Sequence, residues 1–186
     1  MNLVDWRSVI DRHYQPGKAR TILLTHSRMV AELALSINTE RSLGLDSNMI
    51  EAASMLHDIG IGLTDAPGIG CFGNEPYIRH GILGADLLRR DRLPEWTARV
   101  AERHTGTGLT VDEIERQNLP LPLDRVLYPE TQLERLVCYA DKFYSKTPGS
   151  LTVRKDFERV RASMGRHGQA ALERFDDLVN EFGRVD

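Results

Sequence analysis

The sequence predicts an all-α protein, a bundle of about seven or eight helices. In most segments the apolar residues recur every three to four positions, which is the spacing of one buried helix face. Glycine and proline separate these segments, and none of them shows the strict alternation of a half-buried strand. Without a repeat or a low-complexity tract, these features favour a single domain over residues 1–186.

Three helices are predicted in the first third of the chain. A short amphipathic helix buries Trp6 and is broken by Pro16-Gly17. The long segment "ARTILLTHSRMVAELALSINTERSLG" follows as a second helix, which Gly44 closes. Asp46 or Ser47 caps the third helix, "NMIEAASMLHD".

The segment from Gly60 to Pro76 is predicted to be an irregular loop, because it is glycine-rich and has no helical or strand period. Its glycines would let backbone N–H groups approach an anion, and the alternative is a plain connector. The remaining helices are predicted in "YIRHGILGADLLRRD", "EWTARVAERHTG", "VDEIERQ", "TQLERLVCYADKFYSK" (ended by Pro148-Gly149) and residues 153–185, with a break at Gly165–Gly168.

Composition predicts a cytoplasmic protein with neither a membrane segment nor a nucleic-acid partner. The formal net charge is −3, with acids and bases mixed along the chain. The N-terminal residues carry charges where a signal peptide needs an apolar run. Cys71 and Cys138 lack the spacing of a metal site, and Cys71 is expected to be exposed in its loop.

Polar residues of metal-ligating types lie on the apolar faces of five predicted helices. Each costs free energy when buried unless it finds a partner, and a cation would satisfy all of them together. Imidazole and carboxylate are ligands for Zn, Mn, Fe or Co. For any one histidine the alternative is a core residue with a single polar partner. The candidate ligands are His26, His57, Asp58, His80, His104 and Asp141.

Other polar residues on similar stripes are not expected to bind metal. His13 is interpreted as a helix-end residue without a matched carboxylate, and His167 as a surface residue. The pair Asp176-Asp177 is expected on a solvated face.

At these residues the sequence resembles the HD-domain superfamily, which is named for a His…His-Asp…Asp metal site. His26, the doublet His57-Asp58 and Asp141 match the pattern in order, and residues 57–60 read "HDIG". The resemblance covers about residues 20–147. It implies an all-α metal-binding domain on which the C-terminal helices of 153–185 would pack.

Members with two metals have further histidines between the doublet and the last aspartate, where His80 and His104 lie. The resemblance therefore implies one metal held by the four family positions and a second held by these two histidines, with Asp58 bridging. The ions would be Fe, Mn, Zn, Co or Ni.

The implied function is a metal-dependent phosphohydrolase that uses a metal-activated hydroxide on a small phosphoester or nucleotide. Asp58 and Lys142 would be catalytic. Many relatives carry a lysine after "HDIG", where this chain has Ile61. A phosphate-binding cation is therefore expected from Lys142, Arg79 or Arg103, although Lys142 at a helix end has a solvent-exposed alternative.

Two other functions are consistent with the same residues. Some relatives use two irons to activate O2 and oxidise a small polyol or phosphonate, and the ligand set suits iron as well. A non-catalytic ligand-binding module is the third hypothesis, and the complete ligand set disfavours it.

Overall fold

A computed structural model describes residues 3–185 as an all-α fold. No helix in this range is long and apolar enough to cross a membrane. The helices are α1 (Trp6–His13), α2 (Lys18–Glu40), α3 (Ser47–Leu56), α4 (His80–Arg90), α5 (Glu95–Arg103), α6 (Val111–Arg116), α7 (Gln132–Asp141), α8 (Phe157–Arg166) and α9 (Gln169–Phe182). Residues 3–185 thus contain nine helices, whereas about seven or eight were predicted.

Capping explains several helix starts. The Asp46 carboxylate accepts from the backbone N–H of the second and third residues of α3 at 2.7 and 3.3 Å. Thr110 and Thr131 form reciprocal capping boxes with Glu113 and Glu134, which start α6 and α7. These signals are local, so the sequence located the starts of these helices to within about a residue.

The end of α7 differs from the prediction. The helix stops at Asp141, well before Pro148-Gly149, and the chain continues through tight turns bonded three residues apart. The prediction failed because Phe143 is buried and Tyr144 packs against the core, so the apolar pattern runs on past the helix. This early end decides where the following lysines lie.

Two apolar clusters surround the centre of the bundle. One is built mainly from α2, α7, α8 and α9, and it contains the fully buried Tyr139, Phe143 and Phe175. The other joins α1, α3, α4 and α5 and includes Ile59 and Ile61. The C-terminal helices α8 and α9 thus share one apolar cluster with α2 and α7.

The segment between α3 and α4 is more ordered than the predicted irregular loop. It contains short 3-10 helices at Ile59–Leu63, Pro67–Ile69 and Tyr77–Arg79. Between them lies a two-residue antiparallel pair, β1 (Asp65–Ala66) and β2 (Cys71–Phe72). Strands this short leave no alternation to detect.

Gly60 is needed for close packing and not to end α3, which already stops at Leu56. A Cβ on Gly60 would lie 2.2 Å from the carbonyl oxygen of His80 and 2.3 Å from the backbone nitrogen of Gly84. Only a residue without a side chain lets the 3-10 segment approach α4 this closely.

We expect Gly60→Ala to lower the free energy of unfolding by at least about 2 kcal/mol, because the clashing atoms are rigid backbone. Chemical denaturation would measure the change. Gly68→Ala is the matched control, since an added Cβ there meets nothing within 4 Å. Equal stability of the two variants would contradict this reading of the contact.

Candidate metal centre

The candidate ligands come from five places in the chain and converge in the core. His26 lies in the middle of α2, and His57-Asp58 follows the last residue of α3. His80 begins α4, while His104 directly follows α5. All are buried, as is Asp141 at the end of α7.

The first group consists of the four family positions. Nε2 of His26 lies 2.9 Å from Oδ1 of Asp141 and 3.2 Å from Oδ2 of Asp58. Nε2 of His57 lies 3.0 Å from Oδ2 of Asp58 and 3.4 Å from Oδ1 of Asp141. One ligand atom from each residue thus falls within 4.8 Å of the others.

The second group shares Asp58 with the first. Its other oxygen, Oδ1, lies 3.4 Å from Nε2 of His80 and 3.3 Å from Nε2 of His104. The two Nε2 atoms are themselves only 3.0 Å apart. One carboxylate therefore faces two sets of imidazole nitrogens.

The hydrogen bonds around the rings indicate that this cluster suits a cation. Nδ1 of His57, His80 and His104 lies 2.6–2.7 Å from the main-chain carbonyl three residues earlier, which assigns a proton to Nδ1. In their neutral forms, His80 and His104 carry no proton on Nε2, so these two nitrogens point their lone pairs at each other. Both oxygens of Asp58 and Nε2 of His57 are buried with no partner in hydrogen-bond geometry among the described residues.

The pKa shifts agree with this charge arrangement. Burial lowers the pKa of His80 to about 3 and also lowers that of His104, so both rings are neutral. Burial acts the same way on His57, but the Asp58 and Asp141 carboxylates outweigh it and raise its pKa to about 9. Burial would raise the pKa of both aspartates, yet neighbouring positive charges hold each well below its usual range. The ionised carboxylates thus require cationic partners.

Lys142 is one of these partners. Its Nζ donates to Oδ2 of Asp141 at 2.8 Å and to the carbonyl of His104 at 3.0 Å. The side chain is only 8% exposed, so the solvent-exposed alternative for Lys142 is wrong.

Lys146 also lies at the site, although it is not among the residues predicted from the sequence. Its Nζ lies 2.6 Å from Oδ2 of Asp58, a closer approach than that of any described histidine. Its spacing of four residues from Lys142 is the available signal, but that spacing does not point to the site if residues 131–146 form one helix, as predicted. Tyr77 flanks the same site and stacks on the His80 ring at 4.7 Å.

The two arginines predicted to contact substrate do not lie at the cluster. Arg103 is buried and pairs with Glu130 at 2.6 Å and Glu134 at 3.0 Å. Arg79 pairs with Glu75 at 3.0 Å. Neither lines the cavity beside the ligands, because adjacent residues on a helix point in different directions.

Two other expectations need correction. Cys71 is buried, because its side chain on β2 packs into the apolar cluster that joins α1, α3, α4 and α5. His13 does end α1, but it has a carboxylate partner after all, with Nε2 2.8 Å from Oδ2 of Asp91. His167 is exposed, as predicted.

A cavity of about 580 Å³ opens beside Asp141. Ala66, Gly68 and Ile69, from the segment between α3 and α4, line the cavity. Tyr77, whose ring stacks on His80, lines it as well. Lys142, Lys146 and part of α8 also line it. This volume is typical of a small-molecule site.

The chain is similar to known proteins in sequence and in fold. Residues 23–145 match the family described as HD domain. A phosphodiesterase PgpH HD domain from L. monocytogenes has a similar fold, with a TM-score of 0.55, 18% identity, and coverage of 95% of this chain and 88% of that one. The same domain in complex with cyclic-di-AMP gives a TM-score of 0.53 at 18% identity, covering 96% and 82% of the two chains.

Curated relatives are similar in sequence over most of this chain. A protein named tRNA (cytidine(56)-2'-O)-methyltransferase from Thermoplasma volcanium is 33% identical over 141 residues, 76% of this chain and 37% of that protein. One of the same name from Picrophilus torridus is 29% identical over 127 residues, 68% and 33%. An uncharacterized protein of Methanocaldococcus jannaschii is 34% identical over 138 residues, 73% of each. The chain spans about a third of the length of the two methyltransferases.

Proposed function

The chain belongs to the HD-domain family, and on this premise we propose that it is a metal-dependent phosphohydrolase acting on a small phosphoester or nucleotide. The observation that carries the proposal is the shared carboxylate of Asp58, whose two oxygens face separate groups of ligand atoms. An arrangement of this kind suits two divalent cations. His26, His57 and Asp141 would hold one with Asp58, while His80 and His104 would hold the other.

Bound divalent cations would supply Lewis acidity toward a phosphate and a nucleophile from water near neutral pH. The protein's own part is to fix the ligands and to balance charge. The carbonyl partners of His57, His80 and His104 set the ring orientations before any ion arrives. Lys142 and Lys146 line the cavity beside the ligands and would stabilise negative charge on the phosphate.

A small substrate fits the distribution of charge better than a nucleic-acid strand does. Cationic side chains concentrate inside one cavity, and the whole chain is slightly acidic. The tRNA substrate belongs to the names of relatives about three times as long as the matched segment, so it does not identify the substrate here.

Elemental analysis of protein purified without added metal, followed by a phosphatase panel with that metal, tests the proposal. We expect a divalent transition metal and phosphate release from at least one phosphoester. Iron with a mixed-valence EPR signal, and no phosphate release, would contradict hydrolysis in favour of the O2-dependent alternative. Absence of both metal and turnover would instead indicate a binding module.

The two-metal assignment makes a separate prediction. We expect His80→Ala to lower metal content by about one ion per chain with the helical circular dichroism unchanged, because the first ligand group stays complete. His167→Ala is the matched control, since His167 is exposed and far along the chain from every proposed ligand. An unchanged metal content would refute the second site.

A further inference from the structure

The cavity beside the ligands carries far more positive charge than one phosphate group needs. Among the described residues, its lining includes five cationic side chains and one acid, Asp141, which is a proposed metal ligand. Hydroxyl groups of Ser145, Thr147 and Ser163 line the same space. The cationic residues are Lys142, Lys146, Lys155, Arg159 and Arg166.

Two of these cationic residues, Arg159 and Arg166, belong to α8, which follows all the candidate ligands in the sequence. Arg159, Ser163 and Arg166 follow the i, i+4, i+7 spacing of one helix face. The two arginines are separated by about 10 Å along the helix axis. A surface of this length exceeds what a single phosphate group can contact.

The arginines of this face form no ion pair with a described residue. Within residues 3–185, neither Arg159 nor Arg166 has a carboxylate partner. Arg161 on another face of the same helix does, pairing with Asp176 at 2.7 Å. Unpaired guanidinium groups that face a cavity are suited to binding phosphate.

Lys155 connects the α8 face to the lysines near the metal ligands. Its Nζ donates to the carbonyls of Lys142 at 3.1 Å and Tyr144 at 2.8 Å. Burial lowers its pKa below the usual value, and the charges of Lys142, Lys146 and Arg159 add to the shift against the opposing effect of Asp141. Positive charge is thus crowded here, and an anion would relieve the crowding.

We propose that the α8 face, defined as Arg159, Ser163 and Arg166 with Lys155 at its inner end, binds a second phosphate group of the substrate. The substrate class is therefore a phosphate ester, such as a nucleotide, that carries at least one phosphate beyond the one hydrolysed. This rests on the proposed phosphohydrolase function for the first phosphate, whereas binding at the α8 face can be measured without turnover.

Calorimetry on the protein as purified would compare three probes: adenosine 5'-monophosphate, adenosine 5'-diphosphate and adenosine 3',5'-bisphosphate. We expect at least one two-phosphate probe to bind about tenfold more tightly than the monophosphate, since each charge-assisted arginine contact is strong. Tighter binding of the diphosphate would indicate that the two phosphate groups of the substrate are adjacent. Tighter binding of the bisphosphate would indicate that they are separated. If a probe is hydrolysed, kcat/KM replaces Kd in the comparison.

The double variant Arg159→Gln/Arg166→Gln should lose this preference and still bind the monophosphate. Arg161→Gln is the matched control, because it removes the same charge from the same helix outside the cavity. Equal affinity for all three probes, or an equal loss in the control, would overturn the inference. Failure to hydrolyse any phosphoester would overturn the proposed function alone, because a preference in Kd would still support the second phosphate site.

Discussion

Asp58→Asn should leave the protein unable to bind either metal and should lower phosphate release at least about a thousandfold, since metal Lewis acidity is worth several kcal/mol. The reason is that the two carboxylate oxygens face different groups of imidazole nitrogens, at 3.0–3.2 Å on one side and 3.3–3.4 Å on the other. The amide keeps the shape of the side chain but removes its charge. Elemental analysis and an activity assay on the same preparation would measure both effects.

Asp177→Asn is the control for this change. Asp177 is exposed, lies near the C-terminus of the sequence and belongs to neither ligand group. It should keep the metal content and activity of the unmodified protein. If Asp58→Asn retained a full complement of metal, the shared-carboxylate site would be wrong. Circular dichroism would separate loss of metal from loss of the fold.

Lys146→Gln should lower kcat by about a hundredfold or more while metal content stays the same or rises. Burial lowers the pKa of Lys146, but Asp58 and Asp141 outweigh it and raise the pKa above its usual value, so the ammonium group stays charged. That charge lies 2.6 Å from the proposed bridging carboxylate and lines the cavity. Its removal takes away positive charge at the phosphate without removing a metal ligand.

Steady-state kinetics with elemental analysis of each preparation would test this effect, with Lys18→Gln as the control at an exposed lysine outside the cavity. A wild-type kcat in Lys146→Gln would mean that the lysine only balances charge in the metal-free protein. Loss of metal in this variant would mean that Lys146 supports the ligands themselves.

All six candidate metal ligands could be found from the sequence. His26 lies on an apolar helix stripe, and the His57-Asp58 doublet and Asp141 fit the family pattern in the same order. The structure brings these residues together with His80 and His104, as expected. Periodicity marked them as polar groups on apolar helix faces, and the family pattern separated them from His13 and His167, which lie on similar stripes.

The charged groups around the ligands could not be predicted in the same way. Arg103 neighbours a ligand in sequence yet turns to Glu130 and Glu134, whereas Lys146 lies five residues beyond Asp141 yet reaches Asp58. Their long side chains reach across the bundle, so their partners depend on where α7 ends and how the chain turns afterward. No local pattern carries that information.

The sequence by itself therefore determined the helical fold, the apolar faces and, through the family motif, the candidate metal ligands, because helix period, capping and motif are local properties of the chain. Only the tertiary structure decided that Gly60 must approach α4, that Cys71 is buried and that Lys146 rather than Arg79 or Arg103 faces the ligands. It also decided that α8 turns Arg159 and Arg166 toward the same cavity. These outcomes depend on contacts between segments far apart in the chain, and such contacts are set by packing.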